Sequence, residues 1–158
     1  MPDPFCTLDL REATPADQSF LNALYRSARD DLACLGDGPA IDALIAMQQQ
    51  IHDYGHRAHY PDARHLLLWR DNSGIARLVI DANEQRLHIV DITVLASERS
   101  QGAGTTLLQW AQQQAAIAGV PLELSVQRHN LRAKRLYLVL GFVNFASDDL
   151  SDQMRWQA

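Results

Sequence analysis

The segment Leu124–Phe142, LSVQRHNLRAKRLYLVLGF, constrains this chain's fold more than any other stretch. Apolar and polar residues alternate up to Val126, the pattern of a half-buried strand. Asn130 then stands as a helix N-cap, able to accept a hydrogen bond from a free amide of the first turn. Leu131, Leu136, Val139 and Leu140 supply helical apolar contacts, Gly141 closes the helix, and Phe142 opens the next strand. Tyr137 follows Asn130 by seven residues, close to two turns, so the two side chains share a face. Asn130 suits a bare cap or a ligand contact. Tyr137 suits a packed ring with a satisfied hydroxyl or a proton donor.

The upstream run Val94–Leu108, VLASERSQGAGTTLL, reads as strand, loop and helix. Amides at a helix start are unpaired and the dipole adds positive potential, so such a loop can cradle phosphate. Gly102 and Gly104 let the backbone approach closely, and Arg99 adds a charge-assisted donor. GAGTTL lacks the ending of a P-loop and the third glycine of a dinucleotide fingerprint. A cradle and a proton donor together suggest an enzyme that holds a phosphorylated carrier and moves a group from it.

Thr7–Arg11 alternates as a strand. Thr14-Pro15-Ala16-Asp17 starts a helix carrying Phe20, Leu21, Leu24, Tyr25 and Ala28. After the break Gly36–Pro39, a second helix spans about residues 40–56 with the stripe Ile41, Leu44, Ile45 and Ile51. His65–Arg70 and Ile75–Asp81 form a hairpin across Asp71–Gly74, and Arg86–Leu95 is a longer strand. Helix 102–118, strand 122–126, helix 131–140 and a final strand pair, 142–145 and 153–157, complete the order. No repeat or boundary interrupts it, so residues 1–158 read as a single domain: α/β (α+β), a mixed, mostly antiparallel central sheet flanked by helices.

A net charge of -5 leaves no basic footprint for nucleic acid. No apolar run reaches the roughly 18 residues of a membrane span, and the start MPDPFCTLDL lacks a signal-peptide pattern. Cys6 and Cys34 show no metal spacing and fit a reducing compartment, so the expected location is cytoplasmic.

Val94–Gly104 and Asn130–Tyr137 with Leu140-Gly141-Phe142 resemble, in this order and spacing, the paired signatures of the GNAT superfamily of acyl-CoA-dependent N-acetyltransferases. The first is similar to its pyrophosphate motif, Arg/Gln-x-x-Gly-x-Gly/Ala after a strand; the second to Asn-x-x-Ala-x-x-Leu-Tyr ending in Leu-Gly-Phe. Ala96 stands where proline is frequent and Ser100 where glycine is frequent, and neither change removes an amide. The resemblance is close over residues 87–145 and holds only in outline over 8–28. It implies a sheet splayed at the acyl-CoA site and acetyl-CoA as co-substrate without a metal. It also implies direct transfer to a primary amine of a small molecule or peptide in a ternary complex. Amides of Val94, Leu95 and Ala96 would meet the acyl and pantetheine region. Those of Gln101, Gly102, Ala103, Gly104, Thr105 and Thr106, with Arg99 and Ser100 beside them, would bind the pyrophosphate. Asn130 would contact pantetheine, and Tyr137 would protonate the departing thiolate. A homodimer is among the options the sequence leaves open.

A protonated amine must lose a proton before attack. His88, with an ordinary pKa near 6.5, and Asp91 on the same strand are the candidate bases, beside a water relay. Strict alternation points the two to opposite faces unless a bulge intervenes. His52, His56 and His59 fall on one helical face at metal-ligand spacing, and His52-Asp53-x-x-His56 is similar to the His-Glu-x-x-His of zinc peptidases. That pattern supports a metal-dependent hydrolase, but Gly55 weakens the helix between the ligands and both loop motifs go unexplained. Alternatively, the stripe turns polar at His52, Tyr54, His56, His59 and Tyr60 to line an acceptor pocket, or these residues form a solvated helix end. A non-catalytic acyl-CoA sensor is a third class, against which an intact Tyr137 argues.

Overall fold

Among the described residues, seven segments become strands and four amphipathic segments become α-helices. A computed structural model describes residues 8–29, 36 and 38–158 of the chain. Cys6, Thr7, Cys34 and Asp37, which figure in the sequence reading, lie outside the described residues. The elements run β1 (Leu8–Glu12), α1 (Gln18–Ala28), α2 (Pro39–His59), β2 (Arg64–Arg70), β3 (Ser73–Ala82), β4 (Leu87–Val94), α3 (Ala103–Ala118), β5 (Leu122–Gln127), α4 (Leu131–Val139), β6 (Val143–Ser147) and β7 (Ser151–Trp156). The strands make one seven-stranded sheet in the order β1-β2-β3-β4-β5-β7-β6. Every neighbouring pair is antiparallel except β4 with β5. This is the mixed α/β sheet expected from the sequence.

Two local expectations need correcting. The β2–β3 loop is only Asp71 and Asn72, with φ of 49° and 70°, the two-residue turn that matches strand twist. Gly74 therefore sits in β3. Its role is close approach, because a Cβ there would lie 2.9 Å from the Phe20 ring. In α2 the stripe excludes Ile51, which is 65% exposed; the buried positions are Ile45 and Gln49, whose amide donates to Asn22 Oδ1 at 2.8 Å. Phe20 of α1 packs against the Trp69 ring at 5.9 Å, and Leu24 of α1 and Ile45 of α2 are buried.

Leu66, Leu68, Leu78, Ile80, Leu87 and Ile89 face α3, joining Leu107, Leu108, Ala111 and Ala115 in the main core. Tyr137 of α4 and Phe142 belong to the same cluster. Helices α1 and α2 cover the opposite face. The site is placed by an irregularity in β4. Val79 pairs with Asp91 and Ile80 with Ile89, so Val90 is an extra residue, a bulge. Beyond it the alternation is offset by one. Ile92 and Val94 pack against the α3-side core as Leu87 and Ile89 do. His88, Asp91 and Thr93 consequently all face α1 and α2, so strict alternation does not hold for His88 and Asp91. The bulge also marks a parting of strands. β4 and β5 pair only over Leu87–Ile89 and Leu122–Leu124, although both continue for several residues more. The sheet is open beyond that point.

Candidate functional site

The opening between β4 and β5 is a cleft of about 200 Å³ whose walls include Val90, Asp91, Ile92, Ser125, Asn130 and Tyr137. The two sheet faces meet here. Tyr137 enters from α4, 7% exposed, with its ring 5.8 Å from that of Phe142. Its hydroxyl has no hydrogen-bond partner among the described residues, so its bond is available to a ligand. Burial pushes its pKa up to about 12, and the negative charge of Asp91 adds to the rise. The phenol is therefore neutral and a donor at physiological pH. Asn130 is first a cap: its Oδ1 accepts from the Ala133 amide at 3.2 Å. It lines the cleft as well.

Through Ile92 and Asn130 this cleft adjoins a larger one of about 710 Å³, between the end of β4, the following loop and the start of α4. Val94, Arg99, Ser100, Gly102, Ala103, Gly104 and Thr105 line it. Gly102 is the N-cap of α3 with φ 88°, and a Cβ on it would project into open space. The amides of Ala103, Gly104 and Thr105 lack intrahelical partners by helix geometry and open toward the cleft. Thr106 is different: its amide donates to Gly102 O at 2.9 Å and its hydroxyl to the same oxygen at 3.0 Å, so neither is offered to a phosphate. Gln101 turns its side chain back to Ser97 O and does not line the cleft.

At the end of β4, the Leu95 amide donates to Ile75 O at 2.9 Å and the Ala96 amide to Ser27 Oγ at 3.2 Å. Both are engaged, so of residues 94 to 96 the amide to offer is that of Val94. Successive strand amides alternate edges, and with Leu95 turned to β3, those of Val94 and Ile92 point to the opened β5 side.

Across the sheet, Tyr25, His52, Arg77, Asp91 and Thr93 enclose a pocket of about 220 Å³. Asp91 lines both this pocket and the β4–β5 cleft. His52 packs between Tyr25 (5.6 Å) and His56 (4.1 Å). Burial, then the neighbouring His52, holds His56 below its ordinary pKa. His88 lies at the closed end, its ring tilted against that of Tyr60 at 5.4 Å, with its Nδ1 buried and unpartnered among the described residues. Burial lowers its pKa, so it is neutral at pH 7, but it borders neither cavity. Tyr54 is not part of this wall. Two residues beyond His52, it lies on the far side of α2, 76% exposed along a groove with α1. His59 is exposed and its Nδ1 lies 2.8 Å from Gly55 O. The three histidines therefore do not converge, and among the described residues no three side chains of ligand type do.

Sequence reading missed Arg77, Thr93 and Arg132. Arg77 is 9% exposed in β3 and bonds Asp91; a lone arginine inside Ile75–Ile80 was the available signal. Arg132 lines the larger cleft and donates to Ser100 Oγ. A cation in the first turn of a helix opposes the dipole, which was the signal for it.

Comparisons with known proteins agree with this geometry. The family model described as acetyltransferase (GNAT) family matches residues 22–142. No curated protein sequence matches the chain significantly. The fold is similar to that of PaiA N-acetyltransferase from Thermoplasma acidophilum, solved in complex with coenzyme A, with TM-score 0.73, 17% identity, and 96% of this chain and 99% of that one covered. It is also similar to an acetyltransferase from Thermus thermophilus, with TM-score 0.69, 20% identity, and 96% and 97% covered.

Proposed function

Because this chain belongs to the acetyltransferase (GNAT) family, we propose that residues 1–158 form one domain that moves the acetyl group of acetyl-CoA to a primary amine of a small molecule or peptide. The observation that carries this reading is the opened β4–β5 cleft. Tyr137, a buried residue whose hydroxyl has no hydrogen-bond partner among the described residues, stands on one side of it and Asp91 on the other. The loop at Gly102 supports pyrophosphate binding through the amides of Ala103, Gly104 and Thr105, with Arg99 and Arg132 adding positive charge. The Val94 amide supports the acyl carbonyl, where it would stabilise negative charge on the oxygen during attack.

The neutral amine attacks the thioester carbon. The C–N bond forms, the C–S bond breaks, and the surplus amine proton passes to a base and on to water. Of the two candidates, Asp91 borders the cleft and His88 does not, which favours Asp91 as acceptor of that proton. The departing sulfur receives a hydrogen bond from Tyr137. A phenol at about 12 is a weaker acid than a thiol near 8.5, so complete proton transfer to the thiolate is uphill by about 5 kcal/mol. Tyr137 therefore shares its proton with the sulfur rather than surrendering it.

The acceptor pocket of about 220 Å³ is smaller than a typical ligand pocket, and it favours a small amine or the end residue of a peptide. Tyr25 and His52 place aromatic rings on its wall, which suits a cation, and His56 packs behind His52. The test is initial-velocity kinetics on a panel of primary amines, following thiol release. Ternary-complex transfer gives intersecting reciprocal plots with at least one amine. Thiol release that no amine accelerates contradicts the reading.

A further inference from the structure

Asp91 stands where the acceptor pocket meets the acyl cleft, and its carboxylate is held asymmetrically. Arg77 donates to its Oδ2 from Nε at 3.3 Å and from Nη2 at 2.7 Å. Thr93 donates to the same oxygen from Oγ1 at 3.0 Å. Three donors therefore converge on Oδ2, while Oδ1 has no hydrogen-bond partner among the described residues. Arg77 is 9% exposed and the Asp91 side chain 21% exposed, so this is a largely buried clamp rather than a surface ion pair. The β4 bulge makes the clamp possible: it puts Asp91 beside Thr93's face and opposite β3, where Arg77 pairs with Thr93 across the ladder.

We infer that Arg77 and Thr93 are positioning residues, which fix Asp91 through Oδ2 so that Oδ1 is presented to the acceptor amine at the mouth of the acyl cleft. This rests on the acetyl-transfer reading above. The physical case is one of geometry. A free aspartate rotates about two side-chain bonds, whereas a guanidinium fork and a hydroxyl on one oxygen leave one rotamer and one open oxygen. An amine held at that oxygen is oriented before it reaches the thioester, and small misplacements of a reacting group are costly. A lysine at 77 keeps the charge but is a compact point donor without the fork. Charge alone and positioning therefore give different outcomes.

The experiment compares Arg77→Lys, Arg77→Met and Thr93→Val with the wild type. Melting temperature, acetyl-CoA affinity by calorimetry, and kcat and KM for the amine are measured on each. Both Arg77 variants are expected to lose about tenfold to a hundredfold in kcat/KM for the amine. Acetyl-CoA affinity should stay within about twofold, because Arg77 lines neither the phosphate-side cleft nor the acyl cleft. Lysine is expected to restore the melting temperature but not the amine kinetics. Thr93→Val, which leaves no buried charge unpaired, is expected to lose about threefold to tenfold in kcat/KM with its melting temperature unchanged. If Arg77→Met does not fold, Arg77→Lys and Thr93→Val decide. Wild-type amine kinetics in both of these overturn the inference while leaving acetyl transfer intact. Equal losses toward amine and acetyl-CoA in the Arg77 variants reduce the clamp to a structural pair and also overturn it; Thr93, which also lines the phosphate-side cleft, is judged on the amine kinetics alone. A wild-type protein that acetylates no amine overturns the acetyl-transfer reading and this inference with it.

Discussion

Replacing Tyr137 by phenylalanine deletes one oxygen and leaves the rest of a buried ring in place. The ring is 7% exposed and meets Phe142 at 5.8 Å, and phenylalanine retains both features. The hydroxyl bonds no described residue, so the substitution breaks no protein hydrogen bond. The fold should therefore keep its stability to within about 1 kcal/mol. Catalysis should not be spared. On the proposed mechanism the departing sulfur has a neutral donor beside it, because burial pushes the Tyr137 pKa up to about 12. Without it, sulfur leaves lacking the one donor this mechanism aims at it. Losing such a group costs about tenfold to a thousandfold in kcat, or about 1.4 to 4 kcal/mol of barrier. The assay is steady-state thiol release at saturating amine, beside calorimetric titration of acetyl-CoA. The expected result is a fall in kcat with affinity for acetyl-CoA nearly unchanged. A kcat within twofold of the wild type would refute the reasoning and leave Tyr137 as packing alone.

Gly102→Asp should weaken acetyl-CoA binding by about tenfold or more, because it strains a φ of 88° and sets a negative charge at the phosphate site. Gly104→Ala should bind within about twofold of wild type, since its Cβ meets Leu136 Cδ2 at an ordinary 3.6 Å; calorimetry reads both. His56, His65 and His88 all have pKa values depressed from 6.5, chiefly by burial. The unfolded chain thus binds more protons near pH 6.5, so stability is full above that value and falls as pH drops through it. Melting temperatures between pH 7 and pH 5 should decline, and a triple glutamine variant should flatten the slope. Transfer should proceed without an acyl-enzyme, so a Cys6→Ala, Cys34→Ala variant should remain active, whereas an acetylated cysteine found by mass spectrometry would oppose this.

The sequence showed most of the fold because its local signals agreed. Asn130 and Gly141 bracket α4, Gly102 and Gly119 bracket α3, and the strands carry their own alternation. The phosphate-side loop and Tyr137 were legible for the same reason, as short motifs tied to element ends. The acceptor side was not. Which face Asp91 takes depends on a single extra residue, Val90, and a bulge leaves no mark on local propensity. Arg77 and Thr93 come from neighbouring positions of two strands, so their grip on Asp91 exists only once the register is set. The availability of individual amides was hidden likewise. Those of Leu95 and Ala96 are engaged by Ile75 and Ser27, the latter far away in sequence. Tyr54 suits a cation site by its type, while its helical phase turns it outward.

The most direct test is a crystal structure of the protein with acetyl-CoA. The account places the thioester in the β4–β5 opening, with sulfur within hydrogen-bond reach of the Tyr137 hydroxyl and the carbonyl oxygen at the Val94 amide. The pyrophosphate should lie on the amides of Ala103, Gly104 and Thr105, and Asp91 Oδ1 should face the acyl carbon from the acceptor side. Acetyl-CoA bound elsewhere, or bound here with the sulfur turned away from Tyr137, would contradict it.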